Sequence, residues 1–187
     1  MRSLHHFVCE PKDGRRYDNT KDLAGKQFVT SSTDEDHSVT NRIAIVKSTP
    51  IKYDGPIQSG DELIVHHNIF RIYHDMKGRE KSSYAHLFGN TFLIDPFDIY
   101  AYKRSGDGFI ALHPYIFIAP VDKVSKSIIE DSRTTEELTG VIVYSNNDHK
   151  DLKIGDLVKY KPHIEYEFNI DGKKLYRLNV NNICLVD

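Results

Sequence analysis

The chain has 187 residues, 39% of them hydrophobic and 28% charged, with a formal charge of −2. That balance suits a soluble chain with a real core and excludes the strongly basic profile of a nucleic-acid binder. No run approaches the roughly 18 apolar residues of a membrane helix, and the opening MRSLHHFVCEPKDG lacks the apolar stretch of a signal peptide. Two cysteines at opposite ends, Cys9 and Cys184, do not make a disulfide framework. Both are expected as small buried or half-buried apolar residues in strands. A cytosolic protein with no nucleic-acid or membrane partner is the expectation.

Along the chain the periodicity is that of short strands. Runs of four to eight residues rich in Val, Ile, Phe and Tyr end at turn residues such as Asp54-Gly55-Pro56 and Asn146-Asn147-Asp148. Only Lys150 to Lys153 and Thr134 to Leu138 have the makings of a helical turn. Asp171-Gly172, between Tyr166–Ile170 and Lys173–Leu178, predicts a hairpin, because Asp-Gly fits the type I′ turn whose twist matches paired strands.

Four of these blocks recur in the same order. The run Ser3 to Pro11 corresponds to Ala111 to Pro120 with one residue of slippage. Ile43 to Ser48 corresponds to Gly140 to Ser145, and Ile57 to Leu63, with its Gly60-Asp61 corner, to Leu152 to Val158, with Gly155-Asp156. Phe92-Leu93-Ile94 through Ala101 corresponds to Leu175 to Leu178 through Leu185. The first copy is 11 residues longer before its second strand and 11 longer between its corner and its last strand. Extra residues that fall between strand blocks are loop insertions in a shared fold. The chain is therefore expected to be all-β, with two tandem modules, 1–104 and 105–187. The short connector Arg104-Ser105-Gly106-Asp107-Gly108 joins them.

The second module resembles the GroES-like co-chaperonin family along nearly its whole length. Ala111-Leu112-His113-Pro114-Tyr115-Ile116-Phe117-Ile118 is similar to the family's opening strand. Lys153-Ile154-Gly155-Asp156 is similar to its Lys-x-Gly-Asp corner, and Asp171 to Val186 resembles its closing hairpin and last strand. The first module matches at its start, its Ser59-Gly60-Asp61 corner and its end. The resemblance implies two GroES-like β-barrels. It also implies a homo-oligomeric ring that caps a chaperonin (GroEL-like), docking its own mobile loops on the chaperonin's apical domains, and encloses a folding client, with no catalysis and no cofactor.

In that family the docking loop lies between the first two strands. In this chain residues 12–41 are long, charged and rich in Ser, Thr and Asp. Within them Gly25, Gln27, Phe28, Val29 and Thr30 resemble the family's glycine-then-aliphatic anchor, although Gln27 stands where the family has an aliphatic residue. Phe28 and Val29 are either that anchor or a short extra strand on the barrel. In the second module Ile128 and Ile129 are either a second anchor or packed on their own barrel. Residues 49–58 and 146–153 are too short for the roof hairpin of bacterial members, which points to phage-encoded members that enclose a larger client. An insertion at 70–90 has no counterpart in the family. A structural or adaptor protein, for instance in a virion, is the competing reading.

Histidines 66, 67, 74 and 86 invite a metal site, but adjacent histidines in a strand face opposite ways and no HExxH or paired CxxC supports one. They are expected at the surface, with no metal. There is no nucleophile elbow, phosphate loop or dinucleotide fingerprint, so no catalytic residue is assigned.

Overall fold

A computed structural model describes residues 2–17, 20–23, 26–29, 39–122, 135–146 and 148–187. The chain divides into two compact units, 1–108 and 109–187. The first contains β1 (Phe7–Pro11), β2 (Thr20–Leu23), β3 (Lys26–Val29), β4 (Ile43–Ser48), β5 (Glu62–Val65), β6 (Ile72–His74), β7 (Glu80–Ser82), β8 (His86–Phe88), β9 (Thr91–Ile94) and β10 (Ile99–Lys103). The second contains the two-residue β11 (Ile110–Ala111), then β12 (Tyr115–Asp122), β13 (Thr135–Tyr144), β14 (Leu157–Tyr160), β15 (Tyr166–Ile170), β16 (Lys173–Asn179) and β17 (Ile183–Val186). The protein is all-β, as its short apolar runs require.

The repeat is a repeat of topology. Six strands of the first unit run in the order β8-β9-β1-β4-β5-β10, and six of the second in the order β15-β16-β12-β13-β14-β17. In chain order both read 4-5-1-2-3-6, and every ladder is antiparallel. No ladder among the described residues pairs β8 with β10 or β15 with β17, so neither set closes by hydrogen bonding into the barrel expected from the sequence.

Local chemistry repeats with the topology. The Gly60 N–H donates to Val46 O at 2.8 Å and Gly155 N–H to Ile142 O at 2.9 Å. Asp61 Oδ2 accepts from Gln58 N at 2.8 Å and Asp156 Oδ2 from Lys153 N at 2.7 Å. Both glycines have positive φ, +93° and +98°, which explains why glycine precedes each aspartate. Asp95 and Asn179 each accept a backbone N–H two residues on, starting the short 3-10 turn that leads into the last strand.

These bonds align Val46 with Ile142, one residue away from the sequence alignment of that block. A one-residue slip exchanges the faces of a strand, and the corner bonds decide the register. The Asp171-Gly172 hairpin forms with Ile170 opposite Lys173, and both turn residues have positive φ. The helical turn expected over Thr134 to Leu138 is absent from its described part, because Thr135 pairs with Asp122 and begins β13.

Phe7, Cys9, Ile64, Phe70, Phe92 and Ile94 are fully buried in the first unit. In the second, Ile116, Ile118, Ile142, Val158 and Leu178 cluster with Leu152. On the other face of that sheet Phe117 meets Phe168 edge-on at 5.4 Å. Each such side chain is worth about 1.5–3 kcal/mol of apolar transfer.

Of the two cysteines, one meets the expectation of burial and the other departs from it. Cys9 is buried but Cys184 is exposed, since β17 is an end strand of its sheet. Burial pushes the Cys9 thiol far up, so it carries almost no thiolate at neutral pH. A thiol reagent should therefore label Cys184 in the folded protein within minutes and Cys9 only after unfolding. Equal labelling of both would contradict the packing of β1.

Candidate docking site

The connection between β1 and β4 leaves the sheet through a closed stem. After β1, Lys12–Gly14 make a 3-10 turn that brings the backbone back beside Asn41. The Asn41 amide donates to Lys12 O at 3.0 Å and to Arg15 O at 2.8 Å, while its Oδ1 accepts from Ile43 N at 2.8 Å. Asn41 N–H donates to Arg16 O at 2.9 Å, and Tyr17 bridges Thr40. One asparagine thus satisfies both strands of the stem, which hydrophobic patterning does not reveal. Lys12 and Lys103 flank the stem's base, both paired to Glu62 Oε2, at 3.1 and 3.4 Å.

Beyond the stem lies a small hairpin. Thr20 pairs with Val29, Lys21 with Phe28, Asp22 with Gln27 and Leu23 with Lys26. Gln27, Phe28 and Val29 are therefore strand residues, but in a separate two-stranded sheet that does not join the sheet of the first unit. The extra strand considered for Phe28 and Val29 exists, and it lies off the main sheet. Gly25, Thr30, Ile128 and Ile129 lie outside the described residues. In the second unit the matching connection begins and ends in a ladder, Asp122 opposite Thr135.

The insertion at 70–90 meets this stem. Arg16 Nε donates to Phe70 O at 2.8 Å, Nη2 to Arg71 O at 3.0 Å and Nη1 to Ser82 Oγ at 3.1 Å. Its guanidinium lies 5.3 Å from the Phe92 ring centre. Tyr17 Oη accepts from Ile72 N at 2.6 Å and donates to Ile72 O at 3.4 Å. Burial lowers the Arg16 pKa, partly opposed by Tyr17 and Glu80. Arg16, Tyr17 and Asn41 were invisible as site residues in the sequence, because their partners lie up to 66 positions away.

The histidines are not brought to one centre. Among the described residues no three or more His, Cys, Asp or Glu side chains are grouped to hold a metal ion. His66 and His67 do not face opposite ways. They follow the end of β5 in a turn, so strand alternation does not apply, and their rings stack at 4.2 Å.

Replacing Asn41 by Ala removes three bonds that hold two strands, at about 1 kcal/mol each when the partners stay partly wet. The expected loss is about 2 kcal/mol, because the bond to Arg15 O is exposed and water replaces it, with faster amide exchange at Ile43, which loses its acceptor, and at Asn41, which pairs with Arg16 O. Unchanged exchange there would contradict the clasp. Comparison of the chain with protein-family models and with curated proteins finds no match.

Proposed function

We propose that this chain is a co-chaperonin that assembles as a ring and caps a chaperonin, enclosing a folding client. The observation that carries the reading is the zipped stem at Arg16, Tyr17, Thr40 and Asn41, bearing the Thr20–Val29 hairpin off the main sheet. It stands between the first two strands of the sheet, where the family resemblance expects a docking loop. The doubled strand order and doubled Gly-Asp corner support two GroES-like modules per chain.

In this reading Gln27, Phe28 and Val29 form the anchor, with Gly25 and Thr30 at its flanks and Ile128 and Ile129 as a second anchor in the other module. A paired hairpin has less freedom to lose on docking than an open loop, which favours affinity, while its few apolar residues keep the contact reversible. The role is binding and needs neither cofactor nor metal. A phage origin and action in the host cytoplasm accompany the reading.

The test is refolding of a denatured client by a bacterial chaperonin with ATP. The chain should raise the yield, and Phe28→Ser with Val29→Ser should abolish the gain. Ile128→Ser with Ile129→Ser reports whether the second anchor is used. Full assistance by the Phe28/Val29 variant would overturn the assignment of the anchor.

A further inference from the structure

The insertion contains a hairpin that the docking reading does not use. Strands β6 and β7 pair through Ile72–Ser82, Tyr73–Lys81 and His74–Glu80, and form a sheet of their own. A lone two-stranded hairpin is marginal in water. This one is held at both ends by hydrogen bonds. At its base stand the Arg16 and Tyr17 bonds and Ser83 Oγ, which donates to Ile69 O at 2.5 Å. At its tip Asp75 Oδ1 accepts from Lys77 N at 2.8 Å and Arg79 N at 2.9 Å, and Gly78 takes positive φ.

The side chains that this scaffold displays face water. Met76 is fully exposed, Tyr73 is 43% exposed, and His74, Lys77, Arg79, Glu80 and Lys81 are exposed as well. Residues 71–81 carry four basic side chains against two acidic ones, in a chain of net charge −2. One of the two acids, Asp75, is turned onto the backbone of the tip. Lys77, Arg79 and Lys81 form no ion pair among the described residues.

The geometry points to the Ile72–Ser82 hairpin as a preformed arm that docks on an acidic protein surface, with Met76 and Tyr73 entering an apolar depression between the acidic groups. Rigid presentation lowers the ordering cost of binding, and three unpaired cations beside a bare methionine match an acidic, partly apolar partner. A nucleic acid fits less well, because the chain as a whole is acidic and the tip is a thioether rather than a cation. At the matching place in the second unit only residues 161–165 separate β14 from β15, too few for such a hairpin.

The probe is a labelled synthetic peptide of about a dozen residues, mostly glutamate with two leucines, titrated against the full chain by fluorescence anisotropy. Lys77→Glu, Arg79→Glu and Lys81→Glu together should weaken binding about tenfold or more, from the loss and reversal of several partly exposed pairs. Met76→Ser should weaken it about threefold. Arg16→Ala keeps every displayed charge but frees the base, so it should weaken binding and speed amide exchange over residues 72–82. Asp75 and Gly78 stay in all these variants, so the same exchange measurement reports whether the hairpin is intact. Failure of the peptide to bind, equal binding by the triple variant with an intact hairpin, or equally tight binding of a single-stranded oligonucleotide of the same charge would each overturn the assignment. No chaperonin is present in the assay, so its outcome is independent of the docking reading.

Discussion

Phe92→Ala should cost the first unit about 4 kcal/mol, the largest single loss expected in the chain. Phe92 is fully buried on β9, opposite Cys9 of β1 and His86 of β8. Its ring meets Phe70 edge-on at 4.8 Å and His86 at 5.3 Å, and the Arg16 guanidinium lies over it. These neighbours come from separate segments, each fixed by its own ladder or bonds, so the site cannot collapse to fill the space. The transfer loss and the cavity then add. Because Arg16 rests on this ring, the variant should also loosen the base of the β6–β7 hairpin, visible as faster amide exchange at Ile72. Phe97→Ala is the control. That ring is 90% exposed, and its removal should change stability by no more than about 0.5 kcal/mol. Urea unfolding checks both, and a Phe92→Ala loss near that of Phe97→Ala would mean that β9 does not carry the core.

Asp61→Ala should cost about 3 kcal/mol, whereas Asp156→Ala, at the matching corner, should cost about 1 kcal/mol. Both carboxylates accept a backbone N–H and hold a Gly-Asp turn. Asp61 is almost fully buried and also receives Arg104, Nε on Oδ1 at 3.2 Å and Nη2 on Oδ2 at 3.1 Å. Removing it leaves the Gln58 N–H without its acceptor and releases an arginine that also donates to Pro56 O. Asp156 is half-buried, its bond to Lys153 N is exposed, and no arginine pairs with it among the described residues, so water can replace it. Asp61→Asn keeps an acceptor for one donor and should recover part of the loss. Equal effects at Asp61 and Asp156 would show that the arginine clamp contributes nothing.

Much of the architecture was legible in the sequence because its signals are local. The Asp171-Gly172 turn and the two Gly-Asp corners carry their conformation in adjacent residues, and the apolar runs of β1, β4, β12 and β13 read directly as strands. What escaped depends on distant partners. Strands β6 and β7 are three residues each, Ile72-Tyr73-His74 and Glu80-Lys81-Ser82, too short and polar to register as strands. They exist because Arg16 and Tyr17 hold their base across 54 to 66 positions. Asn41 looked like one polar residue at a loop's end, and only the fold brings Lys12 O and Arg15 O to it. The Glu-rich start of β13 has a helical look in sequence, and only its pairing with β12 makes it a strand. Cys184 alternates like a buried residue, but β17 lies at the end of its sheet.

The proposed capping role depends on a physical complex. The most direct measurement is electron microscopy and native mass of the full-length chain mixed with a bacterial chaperonin, with ATP, ADP or no nucleotide. The expected result is a nucleotide-dependent complex with a ring of this chain on the chaperonin's mouth, lost when Phe28 and Val29 are replaced by Ser. Free chaperonin and free chain under all three conditions would contradict it.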